Sequence, residues 1–239
     1  GITLRNAELV KPAYKEETGY KFKEWDKEDS TIIGVTDIVV TANATKLETV
    51  IPEKTGETPN TKPDGYKEVN FVIKNGDESK GSLDGTTKYY VNPNEFVTIT
   101  QPTTKANTGF EFGSWNKDTK VPNQYKDNET ITASFNTLGD LIPEDKGDGT
   151  KNTKPEGYYT VTFEIEKVNN EVPAKFVKGE KLVYFVKPNA QVTINPPQYI
   201  PETGYKFEKW DPDTTQNTAY TKDTVVKGKF TKIEDIIPE

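Results

Sequence analysis

The stretch Thr203-Gly204-Tyr205-Lys206-Phe207-Glu208-Lys209-Trp210-Asp211 occurs three times in the 239-residue chain, and that recurrence decides how the rest is read. Its other copies are Thr18-Gly19-Tyr20-Lys21-Phe22-Lys23-Glu24-Trp25-Asp26 and Thr108-Gly109-Phe110-Glu111-Phe112-Gly113-Ser114-Trp115-Asn116. The chain's three tryptophans therefore occupy one repeat position, spaced 90 and 95 residues apart. A fixed period of this length marks a repeat architecture, in which each unit is one small structural module.

Further landmarks keep the same register. Pro12, Pro102 and Pro197 precede the motif, and Ile51-Pro52-Glu53, Ile142-Pro143-Glu144 and Ile237-Pro238-Glu239 close each unit. Lys62-Pro63-Asp64-Gly65-Tyr66 and Lys154-Pro155-Glu156-Gly157-Tyr158 open the second and third. These landmarks set the boundaries: a partial first repeat at 1–53, a linker at 54–65, a second repeat at 66–144, a linker at 145–157 and a third repeat at 158–239.

Inside a unit the apolar period is two, the signature of strands with one face buried. Val69, Phe71 and Ile73 alternate with polar residues, as do Val161, Phe163 and Ile165. Tyr89-Tyr90-Val91 and Val183-Tyr184-Phe185-Val186 predict a second strand, stopped by Pro93 or Pro188, which lack the N–H that a ladder needs. The motif itself supplies a third strand. Ile131, Ala133 and Phe135, with Val226, Gly228 and Phe230, supply the last. Thr outnumbers Ser 33 to 5, which agrees with strand-rich folding. One turn of helix is the expectation around residues 120–128 and 214–221. The fold class is mainly β: tandem small β-grasp-like repeat domains arranged as an elongated array.

Hydrophobic residues are only 32% of the chain while aromatics reach 11%, so the core must come from a few large rings. Tyr20, Phe22, Phe110, Phe112, Tyr205, Phe207, Phe71, Phe163, Phe135 and Phe230 are the expected repeat core. Three rings burying about 200 Å² each contribute on the order of 15 kcal/mol at roughly 25 cal/mol per Å², which a module so poor in other apolar residues cannot forgo. Trp25, Trp115 and Trp210 stand three residues past a core Phe, so strict alternation turns them outward. They are the candidate ligand contacts, for a sugar face above all.

Composition removes several chemistries. There is no Cys, His or Met, so thiolate nucleophiles, imidazole bases, disulfides and ordinary zinc sites are excluded. The net charge is −7 and Arg5 is the sole arginine, which speaks against nucleic acid. No long apolar run predicts membrane insertion. A chain that opens Gly1-Ile2-Thr3 without Met is expected to be part of something longer.

The segments Lys54–Thr61 and Asp145–Thr153 hold no aliphatic residue and read as linkers, the second flexing more because of its glycines. The first repeat lacks counterparts of strand one and most of strand two. Residues 1–53 are therefore expected to be completed by a neighbouring chain, by another element or by docking on the second repeat. The chain is expected to be a monomer, with edge-strand pairing of this truncated repeat as its route to association.

Acids follow each Trp: Asp26, Glu28 and Asp29; Asn116 and Asp118; Asp211 and Asp213. Alternate oxygen ligands could hold calcium, but the spacing lacks the EF-hand glycine and glutamate, and Asx-stabilised turns are the plainer reading. A catalytic reading would need paired carboxylates or Ser114 beside a Lys, and none stands in an apolar context. A self-formed Lys–Asn isopeptide would need residues such as Lys74, Lys167 and Asn136 brought together. No catalytic residue, metal or cofactor is assigned.

With V-x-F-x-I, T-G-[YF]-x-F-x-x-W-[DN] and a final Phe in register, the chain resembles the Listeria–Bacteroides repeat, the B-repeat type of internalin-like proteins. More loosely it is similar to the streptococcal tandem repeats of cell-wall-anchored adhesins. The resemblance implies a four-stranded β-grasp-like unit outside a Gram-positive cell, in a stalk or spacer that presents an adhesive domain. The alternative it leaves open is multivalent binding of a host glycan or matrix protein by the repeats themselves. Departures are the longer loops Asn75–Thr87 and Asn169–Glu180, and Ala44 in place of the final-strand Phe.

Overall fold

The computed structural model describes residues 11–28, 31 and 36–234. Among them there is no helix. Twelve strands carry the architecture. In the first repeat they are β1 (Tyr20–Trp25) and β2 (Ala42–Lys46), followed by β3 (Val50–Pro52). The second repeat has β4 (Lys67–Ile73), β5 (Lys88–Val91), β6 (Phe110–Trp115) and β7 (Glu129–Thr137), followed by β8 (Leu141–Pro143). The third has β9 (Tyr159–Ile165), β10 (Val183–Val186), β11 (Tyr205–Asp211) and β12 (Thr224–Lys232).

Each complete repeat orders its four strands 2-1-4-3, with the first and last parallel at the centre, as in a β-grasp sheet. A two-residue period suits this arrangement because one face packs inward and the other meets water. In β7 every second residue is buried, from Ile131 through Ala133 to Phe135, and Val226, Gly228 and Phe230 of β12 repeat the pattern.

The contacts divide the chain into two compact units, with the division passing through the second repeat. The first unit takes the chain to Lys74, Leu83–Thr104 and Ser114–Ser134. Its core is Val69, Phe71, Tyr89, Val91, Val97, Ile99, Tyr125 and Ile131, with Trp115 packed on the side. The second takes Asn75–Ser82, Lys105–Gly113 and Phe135 onward. Its core gathers Val161, Phe163, Val186, Val192, Ile194, Tyr220 and Val226, with Trp210 against it.

Three expectations change. The Ile-Pro-Glu triplets do not close the sheet before them. β3 instead adds antiparallel to β5 of the following repeat, with Ile51 opposite Tyr90, and β8 adds to β10, with Ile142 opposite Phe185. Apolar residues here are too valuable to leave in a linker, and the open edge of each strand two is the nearest ladder. The third triplet lies outside the described residues. Residues 120–128 and 214–221 form no helix; Asn123–Gln124 pairs with Phe96–Val97, and Thr218–Ala219 with Gln191–Val192. Within the segments read as linkers, Lys54–Thr55 pairs with Thr58–Pro59 and Asp145 bridges Lys151, so both are tight turns.

Candidate functional site

The recurring motif builds an aromatic ledge in each repeat. Its spacing, Phe-x-x-Trp, should set the two rings on opposite faces of a regular strand. A β-bulge cancels that. In β11, Phe207 pairs with Phe230 and Lys209 with Lys229, leaving Glu208 as the extra residue, and Trp210 then meets Gly228. In β1 the shift falls between Phe22 and Glu24, so Trp25 meets Ala42. One inserted residue rotates the remainder of the strand to the other face, so Trp rejoins the face of Phe.

The candidate ligand contacts are thereby turned inward. Trp115 meets Phe71 edge-on at 5.3 Å, and Trp210 meets Phe163 edge-on at 5.5 Å. Trp210 is also parallel to Phe176 at 6.3 Å and lies 5.7 Å from Phe207. Trp25 sits 5.8 Å from Phe22. The outward orientation expected of the tryptophans is corrected for Trp115 and Trp210, which pack on the cores, while all three rings stay half-buried.

Of the expected core, Phe71, Phe135, Phe163 and Phe230 are buried, while Phe22, Phe110, Phe112, Tyr205 and Phe207 are half-buried. Phe112 packs edge-on against Phe135 at 5.9 Å, and Phe207 against Phe230 at 5.3 Å. Tyr20 departs from the reading, being 44% exposed. Its counterpart Tyr205 donates its hydroxyl to Glu171, a bond that holds the Tyr205 pKa above the usual tyrosine range. Glu171 belongs to the long loop of the third repeat, Asn169–Glu180. The sequence marks this loop as an insertion but does not tell that it reaches Tyr205.

The acids after each Trp serve turns. Asp26 accepts the Thr41 N–H at 2.7 Å, and this bond, ahead of Lys27, holds its carboxyl below the usual range. Asn116 accepts the Thr132 N–H at 2.8 Å in the same role. Asp213 takes both the N–H and hydroxyl of Thr215 and is lowered by them. Asp118 caps Lys120, and Lys229 reaches Asp211 at 2.8 Å and lowers it. Among the described residues no three metal-ligating side chains converge. Asp29 lies outside them. Lys74, Lys167, Asn136 and Ser114 are all exposed, so none of these four lies in an apolar pocket.

The most repeated arrangement is the joint between consecutive repeats, built twice from equivalent residues. In the first unit the Tyr66 hydroxyl donates to Glu48 O at 2.9 Å, and in the second the Tyr158 hydroxyl donates to Gly139 O at 2.9 Å. Leu47 N–H bonds Gly19 O, as Leu138 N–H bonds Gly109 O, each at turn residues of the motif. Asn60 and Asn152 each donate a side-chain N–H to a carbonyl of the added strand, Pro52 O and Pro143 O, both at 2.8 Å. Gly65 and Gly157 have φ of +79° and +80°, and a Cβ there would lie 2.4 and 2.6 Å from the hydroxyls of Thr18 and Thr108. Only glycine supplies both that conformation and that clearance. The Thr-Gly of the first two motifs is thus the contact surface for the next repeat, a role for which Lys-Pro-[Asp/Glu]-Gly-Tyr is the partner signal.

Residues 68–156 match the family model of the Listeria-Bacteroides repeat domain, and residues 185–234 match that of the divergent InlB B-repeat domain. Comparison with curated proteins and with solved structures gives no match.

Proposed function

We propose that this chain, whose second and third repeats match the family models of the Listeria-Bacteroides repeat and the divergent InlB B-repeat domain, is a non-catalytic spacer of an extracellular protein on a Gram-positive cell wall, holding an adhesive domain off the surface. The observation that carries the reading is the joint made twice from the same residues. A spacer must resist bending where modules meet, and a Gly/Ser-type linker would not. Here the connecting strand is hydrogen-bonded into the next sheet, so bending a joint breaks several bonds at about 0.5–1.5 kcal/mol each.

The rival reading, glycan or matrix binding by the repeats, needs free aromatic faces. Edge-on engagement of Trp115 by Phe71 and of Trp210 by Phe163 favours the spacer.

The test uses the absence of native cysteine. Spin labels at Lys23→Cys and Lys126→Cys report across the first joint, and the spacer predicts one narrow distance distribution. A broad distribution, as a free linker gives, overturns it.

A further inference from the structure

The turn that leaves β4 carries a dipeptide found nowhere else in the chain: of 18 asparagines, Asn75 alone is followed by glycine. Both residues are exposed, and Gly76 lies in the left-handed region at φ +91°, with open space where a Cβ would stand. Its nitrogen is therefore unshielded. Asn60, Asn107, Asn123 and Asn152 each spend a side-chain N–H on a backbone carbonyl. The Asn75 amide has no such tie among the described residues, so its carbonyl carbon is free to turn toward the next peptide nitrogen.

That nitrogen already faces a base. Gly76 N–H donates to Glu78 Oε2 at 2.8 Å. An amide nitrogen is a poor nucleophile until its proton is drawn off, and an oxygen base within hydrogen-bond reach is the group that can take it.

The residue between them is a pin. Asp77 is 9% exposed, its Oδ2 accepts Phe135 N–H of β7 at 2.9 Å, and its Oδ1 meets Lys80 Nζ at 2.6 Å. Ser79 O and Lys80 O beyond it accept the side-chain and backbone N–H of Asn107, both at 2.8 Å. The loop is thus held on its far side, and Asn75-Gly76 is the short free span before the pin. The third repeat builds its turn differently: Asn169 and Asn170 have φ of 50° and 67°, Val168 and Glu171 exchange both backbone bonds, and no glycine follows either Asn.

We infer that Asn75-Gly76 is a self-modification site, at which asparagine converts to isoaspartate and aspartate with Glu78 as general base, and that conversion releases Asp77 from β7. Gly76 N forms a bond to Asn75 Cγ, its proton passes through the Glu78 carboxylate to the departing nitrogen, and the Cγ–Nδ2 bond breaks to give ammonia. Water then opens the five-membered imide at either carbonyl. Opening at the main-chain carbonyl leaves the backbone running through Cβ and Cγ, one atom longer between residues 75 and 76. That extra atom carries Asp77 out of register with Phe135, and either product adds one negative charge. The site is independent of the spacer reading, because the joints between repeats lie elsewhere in the chain.

The test holds the intact chain in warm neutral buffer and follows the tryptic peptide that carries Asn75. A gain of about 1 Da is expected in that peptide, split into two chromatographically separable products. The other asparagines of the same sample, as internal reference, should convert at least about tenfold more slowly, and Glu78→Gln should slow Asn75 by at least about tenfold, as loss of a general base requires. Glu78 is exposed, so this variant leaves the core intact. In the converted chain the Phe135 amide should exchange about tenfold faster, as loss of a bond to a carboxylate requires. The proposal is overturned if Asn75 converts no faster than the other asparagines, or if Glu78→Gln converts at the native rate. It is equally overturned if the converted chain keeps the protection of Phe135.

Discussion

Gly228 lies directly beneath the indole of Trp210: a Cβ added there would stand 2.8 Å from Cζ3 and 3.0 Å from Cη2. The ring is half-buried and packs against Phe163, Phe176 and Phe207, so it can yield only at the expense of those contacts. Gly228→Val should therefore destabilise the third repeat by about 1–3 kcal/mol, the usual cost of overpacking. Urea unfolding followed by Trp210 emission, with Trp25 and Trp115 replaced by Phe, reads that cost.

The bulge at Glu208 lets Trp210 share the face of Phe207 at a spacing of three. Deleting Glu208 leaves Phe207-Lys209-Trp210 in plain alternation, so Trp210 should stay opposite Gly228 and its emission should not shift. A red-shifted spectrum would mean that the strand slips its register instead of closing the bulge.

At the second joint, Tyr158→Phe removes the bond to Gly139 O, at a cost of about 1 kcal/mol. Gly157→Val adds a side chain where φ is +80° and where Thr108 Oγ1 would stand 2.6 Å from its Cβ. Spin labels across that joint should show a broadened distribution for Gly157→Val and a nearly unchanged one for Tyr158→Phe.

Tyr125 makes stability fall in alkali. Burial, more than the nearby Glu129 carboxylate, pushes its hydroxyl up to about 12 from 10.0, and the oxygen is buried without a hydrogen-bond partner. The unfolded chain releases this proton first. The group's contribution is thus whole below pH 10 and is lost as pH rises to about 12, amounting to about 2–3 kcal/mol. Lys117 lies 4.5 Å over the ring and pairs with Glu129. Tyr125→Phe should flatten the fall without lowering stability at neutral pH, as denaturant midpoints between pH 7 and pH 12 would show.

The strands of the second and third repeats were legible because their apolar residues alternate. Val69, Phe71 and Ile73, or Val161, Phe163 and Ile165, announce a half-buried strand without any knowledge of what covers it. The register landmarks were legible for the same local reason, being short runs repeated at a fixed spacing. The destination of Ile51 and Ile142 was not. A triplet of that length has no period of its own, and its partner, Tyr90 or Phe185, is decided by which sheet edge lies within reach. The orientation of the three tryptophans also escaped a reading by alternation, since a bulge is a property of the pair of strands.

The sequence by itself determined that the chain is a β-rich tandem repeat whose cores rest on a few aromatic rings and which lacks thiol and imidazole chemistry, because composition and periodicity are properties of the chain alone. Only the tertiary structure decided that Trp210 turns inward and that Thr108 and Gly157 meet in a joint. Each of these depends on which backbone stands opposite which, and that is settled by long-range hydrogen bonding and ring packing between segments that are distant in sequence.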